Sequence, residues 1–239
     1  DLFGEGMEDC CNSMNNTENH LRVGAGDDAS GLLLNKISAI ADGRVLNLEI
    51  FKFKDCCSNT SQWALGSDEI DMGFYCNSMA LHLVNASDRF AIYGPVIMNS
   101  EVLAYDGDIE DIRELGIGHK RENIKELARE GNSKLLGINE MIPSALPYSL
   151  EKQQIDAAVI DATKAALLPK FNFGPVSEHD YISYCLVVRK DLIGTEVFDD
   201  FLELYNQAAE ELNQVDILTA AAGMTEEFWD DLNIRFLNL

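Results

Sequence analysis

The chain has 239 residues and 46% of them are hydrophobic, which suits one large or two small folded domains and excludes a disordered chain. Its 18 Lys and Arg stand against 41 Asp and Glu, a formal charge of −23. That balance excludes capture of nucleic acid or anionic lipid by bulk electrostatics, and no run approaches the roughly 20 apolar residues of a membrane span.

Residues 1–20, "DLFGEGMEDCCNSMNNTENH", are polar and acidic. They lack the basic and apolar regions of a signal peptide and read as a linker ahead of the fold. Leu21–Gly24 is a short strand. A turn, Ala25–Ser30, then ends in capping residues, and Gly31–Asp42 has helical spacing at Leu33, Ile37 and Ile40. Val45–Phe53 alternates as a strand, and Thr60–Leu65 is a short helix stopped by Gly66. The strand Glu69–Phe74 runs into Tyr75-Cys76-Asn77-Ser78 and the helix Ser78–Val84, and Arg89–Met98 is a strand interrupted at Gly94-Pro95.

Asn99–Asp108 carries the turn signals Asp106-Gly107-Asp108. Strands are then expected at Glu114–Ile117, Lys134–Ile138, Ile155–Ile160 and Tyr181–Arg189. Helices are expected at Arg121–Arg129, Pro143–Lys152 and Ala162–Leu168. From Thr195 onward the pattern is helical, with a stripe of Phe198, Phe201, Leu202, Tyr205, Ala208 and Leu212. Eleven Asp or Glu and no Lys or Arg lie between Glu196 and Asp231, a solvated helical face.

Repeated βα alternation implies an α/β fold with mostly parallel sheets flanked by helices. Ligands of such sheets lie beyond the carboxyl ends of the strands, and a two-lobed chain places them in the cleft between lobes.

Three stretches carry a resemblance: "WALGSDEIDMGF", "PSALPYSLEKQQIDAAVIDATKAALL" and "YCLVVRKDLIGTEVFDDFLELYNQAAEEL". Together they resemble type II periplasmic solute-binding proteins of ABC importers, in the NMT1-like branch of sulfonate-, nitrate- and thiamine-precursor-binding members. The sequence departs from the pattern at Gln154, where the family has Gly, and near Thr163 and Lys164, where it has Pro. The resemblance covers residues 20–239. It implies a discontinuous first lobe (21–98 and 191–239), a second lobe (99–190) and hinge closure on a small molecule. It also implies a lipid-anchored or periplasmic setting, a membrane permease as partner, and a monomeric receptor that is not an enzyme and carries no cofactor.

Candidate ligand contacts sit at the strand ends. Tyr75, Cys76, Asn77 and Ser78 occupy a strand-to-helix junction with free backbone N–H groups, although Asn or Ser there also serves as an ordinary cap. Asp28 and Ser30 follow the first strand. Capping explains them, and carboxylates beside a cleft also favour an amine and disfavour a sulfonate. In His119-Lys120-Arg121, Arg121 suits a carboxylate or phosphate but reads more simply as a solvated helix start, which leaves His119 as the cleft candidate. Met141, Asp161 and Thr163 complete the second wall. Met98, Met141 and Tyr75 give a lining suited to a flat organic ligand, or simply belong to the core.

Six cysteines, Cys10, Cys11, Cys56, Cys57, Cys76 and Cys185, show no CxxC or Cys/His zinc spacing. Two further readings remain. One is a receptor for a metal or metal chelate using Cys56, Cys57, Cys76 and Met. The other is a thiol-dependent enzyme pairing Cys76 with His82 or His119, although no GxSxG, HExxH, P-loop or dinucleotide fingerprint accompanies it.

Overall fold

A computed structural model describes residues 19–239. Most of the expected linker, including Cys10 and Cys11, lies outside the described residues, and His20 already opens the first strand. The first half runs β1 (His20–Ala25), α1 (Ala29–Ala41), β2 (Asn47–Lys52), α2 (Asn59–Gly66), β3 (Met72–Cys76), α3 (Asn77–Ala86) and β4 (Phe90–Met98). The middle runs β5 (Glu101–Tyr105), β6 (Glu114–Gly118), α4 (Glu122–Gly131), β7 (Gly137–Met141), α5 (Leu146–Glu151), β8 (Ala157–Asp161) and β9 (Asn172–Pro175). The chain ends with β10 (Ile182–Arg189), α6 (Glu196–Leu212), α7 (Val215–Ala222), α8 (Glu226–Leu232) and β11 (Arg235–Phe236).

These strands form two sheets, one per lobe. The first has the order β11-β4-β10-β3-β1-β2 and the second β7-β6-β8-β5-β9. Each holds three neighbouring parallel strands, β3-β1-β2 and β7-β6-β8, extended by antiparallel ones. β3 is buried along its whole length, as a central strand covered on both faces must be, and so its sequence is an unbroken apolar run.

Local chemistry sets the helix starts. Asp28, Ser58, Thr195 and Thr225 each accept backbone N–H groups at the beginnings of α1, α2, α6 and α8. The stripe predicted on α6 is buried at Phe198, Phe201, Tyr205, Ala208 and Leu212, with Leu204 in place of the half-exposed Leu202. Lys36 on α1 pairs with Glu211 on α6 at 2.5 Å.

Three expectations need correction. The 99–190 boundary puts β10 in the second lobe, yet it pairs antiparallel with both β3 and β4 in the first sheet, so the chain has returned to that sheet by Ile182. Asn99–Asp108, read as turn-rich, contains the strand β5, because the turn residues only follow it. β7 begins at Gly137, three residues later than Lys134, after a turn in which Asn132 accepts the Lys134 N–H at 2.9 Å.

The chain crosses between lobes twice, at Asn99-Ser100 and over residues 176–181. Asn99 has φ 58°, a left-handed conformation that Asn tolerates better than most residues. The crossovers are bonded to each other: Asn99 N–H donates to Tyr181 O at 3.2 Å, and Tyr181 N–H donates to Asn99 Oδ1 at 3.0 Å.

Candidate functional site: the interlobe cleft

A cavity of about 290 Å³ lies between the lobes. The first lobe contributes Asp27 and Asp28 after β1, Lys54 and Asp55 after β2, and Tyr184 from β10. The second contributes Arg121 after β6, Asp161 at the end of β8, and Ser144, Leu146, Pro147 and Lys164. The parallel strands of both sheets thus aim their carboxyl ends at one space, as α/β topology dictates.

Two carboxylates come from opposite lobes. Asp28 Oδ1 accepts the Ser30 N–H at 2.9 Å. Asp161 Oδ1 accepts the Thr163 N–H at 3.0 Å, and its Oδ2 accepts the Ala29 N–H at 3.1 Å, so a second-lobe carboxylate helps to cap a first-lobe helix. Burial, then the charge of Asp28, pushes the Asp161 carboxyl up to about 7. At the mouth Lys164 pairs with Asp27 at 2.7 Å.

Arg121 is the cleft's buried cation. Its Nη1 lies 3.0 Å from Glu101 Oε1, its Nη2 donates to the Tyr184 hydroxyl at 3.3 Å, and the guanidinium lies 5.6 Å from the Tyr184 ring centroid. Glu101 begins β5 directly after the crossover. Its Oε2 accepts from Ser183 Oγ at 2.9 Å and from the Tyr181 hydroxyl at 3.0 Å. Burial raises the Glu101 carboxyl above its ordinary value, opposed by Arg121 and these two hydroxyls.

Behind Arg121 sit three thiols. Cys57 Sγ is 3.2 Å from Cys76 Sγ and 3.7 Å from Cys56 Sγ, and Arg121 Nη2 reaches Cys56 Sγ at 3.7 Å. Hydrogen bonds from Cys56 and then Cys57 hold Cys76 well below the usual thiol range against its burial, helped by Arg121 and the Met79 amide. On this rim Ser78 Oγ donates to Asn123 Oδ1 at 2.9 Å, and Lys120 Nζ donates to Cys57 O at 3.4 Å, both between lobes.

No protein-family model matches the sequence, and no curated protein matches it. Solved structures do. The ligand-binding component of an ABC-type import system from Staphylococcus aureus, with zinc bound, is 17% identical with a TM-score of 0.70, covering 92% of this chain and 86% of that one. The methionine-binding protein MetQ is 19% identical with a TM-score of 0.68, covering 93% and 99%. A nutrient-binding protein from Burkholderia cenocepacia, bound to methionine, is 18% identical with a TM-score of 0.62, covering 81% and 95%. The chain has the two-lobed α/β fold of these binding proteins.

In this two-lobed fold the expected residues separate into groups. Asp28 and Asp161 face the cavity, while Ser30 and Thr163 serve as their hydrogen-bond partners. Ser78 bridges the lobes and Asn77 is half-buried beside it; neither lines the cavity. Tyr75 does not line it either: the side chain is fully buried beside Phe53, and its hydroxyl donates to Ser61 O at 2.7 Å. Cys76 belongs to the buried thiols. Met98 lies beside β11, with its sulfur 3.6 Å from Arg235 Nη2, because β4 carries it to the far edge of the first sheet. Met141 packs against the core, and His119 is half-buried with its N–H donated to Met141 O at 3.1 Å. Neither lines the cavity.

Sequence reasoning set Arg121 below its neighbour His119, whereas the turn from β6 into α4 directs Arg121 inward. It missed Glu101, Tyr184 and Lys164 entirely. A Glu opening the apolar run Val102-Leu103-Ala104 was the available signal for Glu101.

Proposed function

We propose that this protein is the extracytoplasmic solute-binding component of an ABC import system. It captures a small organic molecule bearing an amine, or a cationic heterocycle, in the interlobe cavity. The observation that carries this reading is the carboxylate pair Asp28 and Asp161, presented from opposite lobes to one space. A cation between them relieves their repulsion only when the lobes are closed, so ligand binding itself drives closure about the two crossovers. The arrangement disfavours a sulfonate, so within the branch suggested by the sequence motifs the amine- and heterocycle-binding members are the better model.

Binding is stoichiometric and leads to no reaction. The rims of both lobes dock a membrane permease, and the receptor works as a monomer at the outer face of that membrane, by analogy with the ABC import proteins of the same fold. A metal as transported cargo is disfavoured, because the thiols that would hold it are buried behind Arg121 and not in the cavity.

A thermal-shift screen across amines, amino acids, cationic heterocycles and sulfonates tests this, followed by calorimetry on hits. An amine or cationic heterocycle that raises the melting temperature of the wild type and not of Asp161→Asn supports the proposal. Stabilisation by sulfonates alone, undiminished in Asp161→Asn, overturns it.

A further inference from the structure

The three thiols form a site separate from the ligand cavity. Cys56 and Cys57 lie on the loop between β2 and α2, and Cys76 ends β3, so two chain segments converge there. All three sulfurs lie within 4.8 Å of one another, and all three residues are buried. A metal about 2.3 Å from three coplanar sulfurs sets those sulfurs about 4.0 Å apart, so the observed 3.2 and 3.7 Å separations need only small rotamer adjustments to match.

From this geometry we infer that Cys56, Cys57 and Cys76 form a trigonal, all-sulfur site for a resident thiophilic monovalent metal, Cu(I). The donor set decides the metal. Among the described residues no fourth His, Cys, Asp or Glu joins the group. Thiolates suit both zinc and Cu(I), but zinc in a closed site wants four ligands, whereas three thiolates satisfy Cu(I). Any of the three still protonated gives its proton to solvent on coordination, and the Arg121 guanidinium, 3.7 Å from Cys56 Sγ, faces the resulting negative charge. The bound ion would tie the β2–α2 loop to the start of α3, next to the second-lobe residues Arg121 and Lys120.

This site does not depend on the identity of the transported solute. The test uses the full chain carrying Cys10→Ser and Cys11→Ser, freshly reduced under anaerobic conditions. It is titrated with Cu(I) in competition with bathocuproine disulfonate, and its metal shell is read by X-ray absorption. Expected are one tightly held Cu(I), a shell of three sulfurs, and a raised melting temperature. Cys57→Ala and Cys56→Ser lose the tight ion, while Cys185→Ala, which removes a buried thiol outside the trio, keeps it. The absorption readout on the parent needs no further variant, so a misfolded mutant leaves the test intact. Failure of the reduced parent to compete for copper, a shell containing nitrogen or oxygen, or undiminished binding by folded Cys57→Ala overturns the inference.

Discussion

Arg121 and Glu101 meet at 3.0 Å with side chains only 13% and 5% exposed; Glu101 opens β5, and Arg121 follows β6 at the start of α4. Glu101 stands at the crossover and Arg121 at the cavity wall, so this ion pair links the pivot to the binding space. Its removal is asymmetric in cost. Glu101→Gln strands a buried guanidinium and is expected to cost about 3–5 kcal/mol. Glu101→Gln combined with Arg121→Met removes the stranded charge and recovers part of that loss. Urea midpoints of the two variants check the order.

Asp161 makes both stability and affinity depend on pH. Its carboxyl is raised from 3.8 to about 7 in the folded protein. The native state therefore holds this proton more tightly than the unfolded chain, and the contribution is complete below about pH 4 and lost as pH rises through about 7. The ligand-free wild type is expected to lose melting temperature over that window, and Asp161→Asn to lose less, by roughly 2–4 °C for each kcal/mol involved. On the proposed function, binding of a cation has the opposite sign, because the ionised carboxylate would be the binding form. Affinity rises about tenfold per pH unit below 7 and levels off above it. Calorimetry at pH 5.5, 6.5 and 8 reads this directly.

Asn99 holds the pivot by conformation and by hydrogen bonds. Its Nδ2 donates to Asp180 Oδ1 at 2.7 Å and to Asn233 O at 3.0 Å, while its Oδ1 accepts the Tyr181 N–H. Asn99→Ala loses these and keeps the strained φ, an expected cost of about 2–4 kcal/mol. Asn99→Gly relieves the φ but not the lost bonds, and so falls between the two in thermal denaturation.

Ser78 and Asn123 join the rims at 2.9 Å. Ser78→Ala is expected to weaken ligand binding about fivefold, the worth of one ordinary hydrogen bond. Asp161→Asn weakens it by far more. Equal effects from the two, measured by calorimetry, would contradict a cavity-centred mechanism.

The sequence made the parallel cores of both lobes legible, because β1, β3, β6 and β8 are apolar strands punctuated by clear caps and turns. It hid β5, which follows the Asn99 crossover and precedes a strong turn, so local composition outweighed its apolar centre. The lobe membership of β10 is a long-range pairing fact, decided by partners more than 80 residues away in the chain. Asp28 and Asp161 were legible as strand-end carboxylates. Tyr75 misled because its place at the carboxyl end of β3 does not say where the side chain goes: both faces of that strand are covered, and the ring packs beside Phe53. Arg121 was visible as a residue, but its burial depends on Glu101, which no local pattern connects to it.

On the proposed function, the bonded crossovers would favour rotation of the lobes over sliding or splaying, which would break the reciprocal pair between Asn99 and Tyr181. A turn of a few degrees there grows with distance from the axis, so the outer lips sweep widely while the axial side chains scarcely shift. For a receptor of the proposed kind, anything that stiffens this spindle would slow loading and unloading alike without ever touching the cargo.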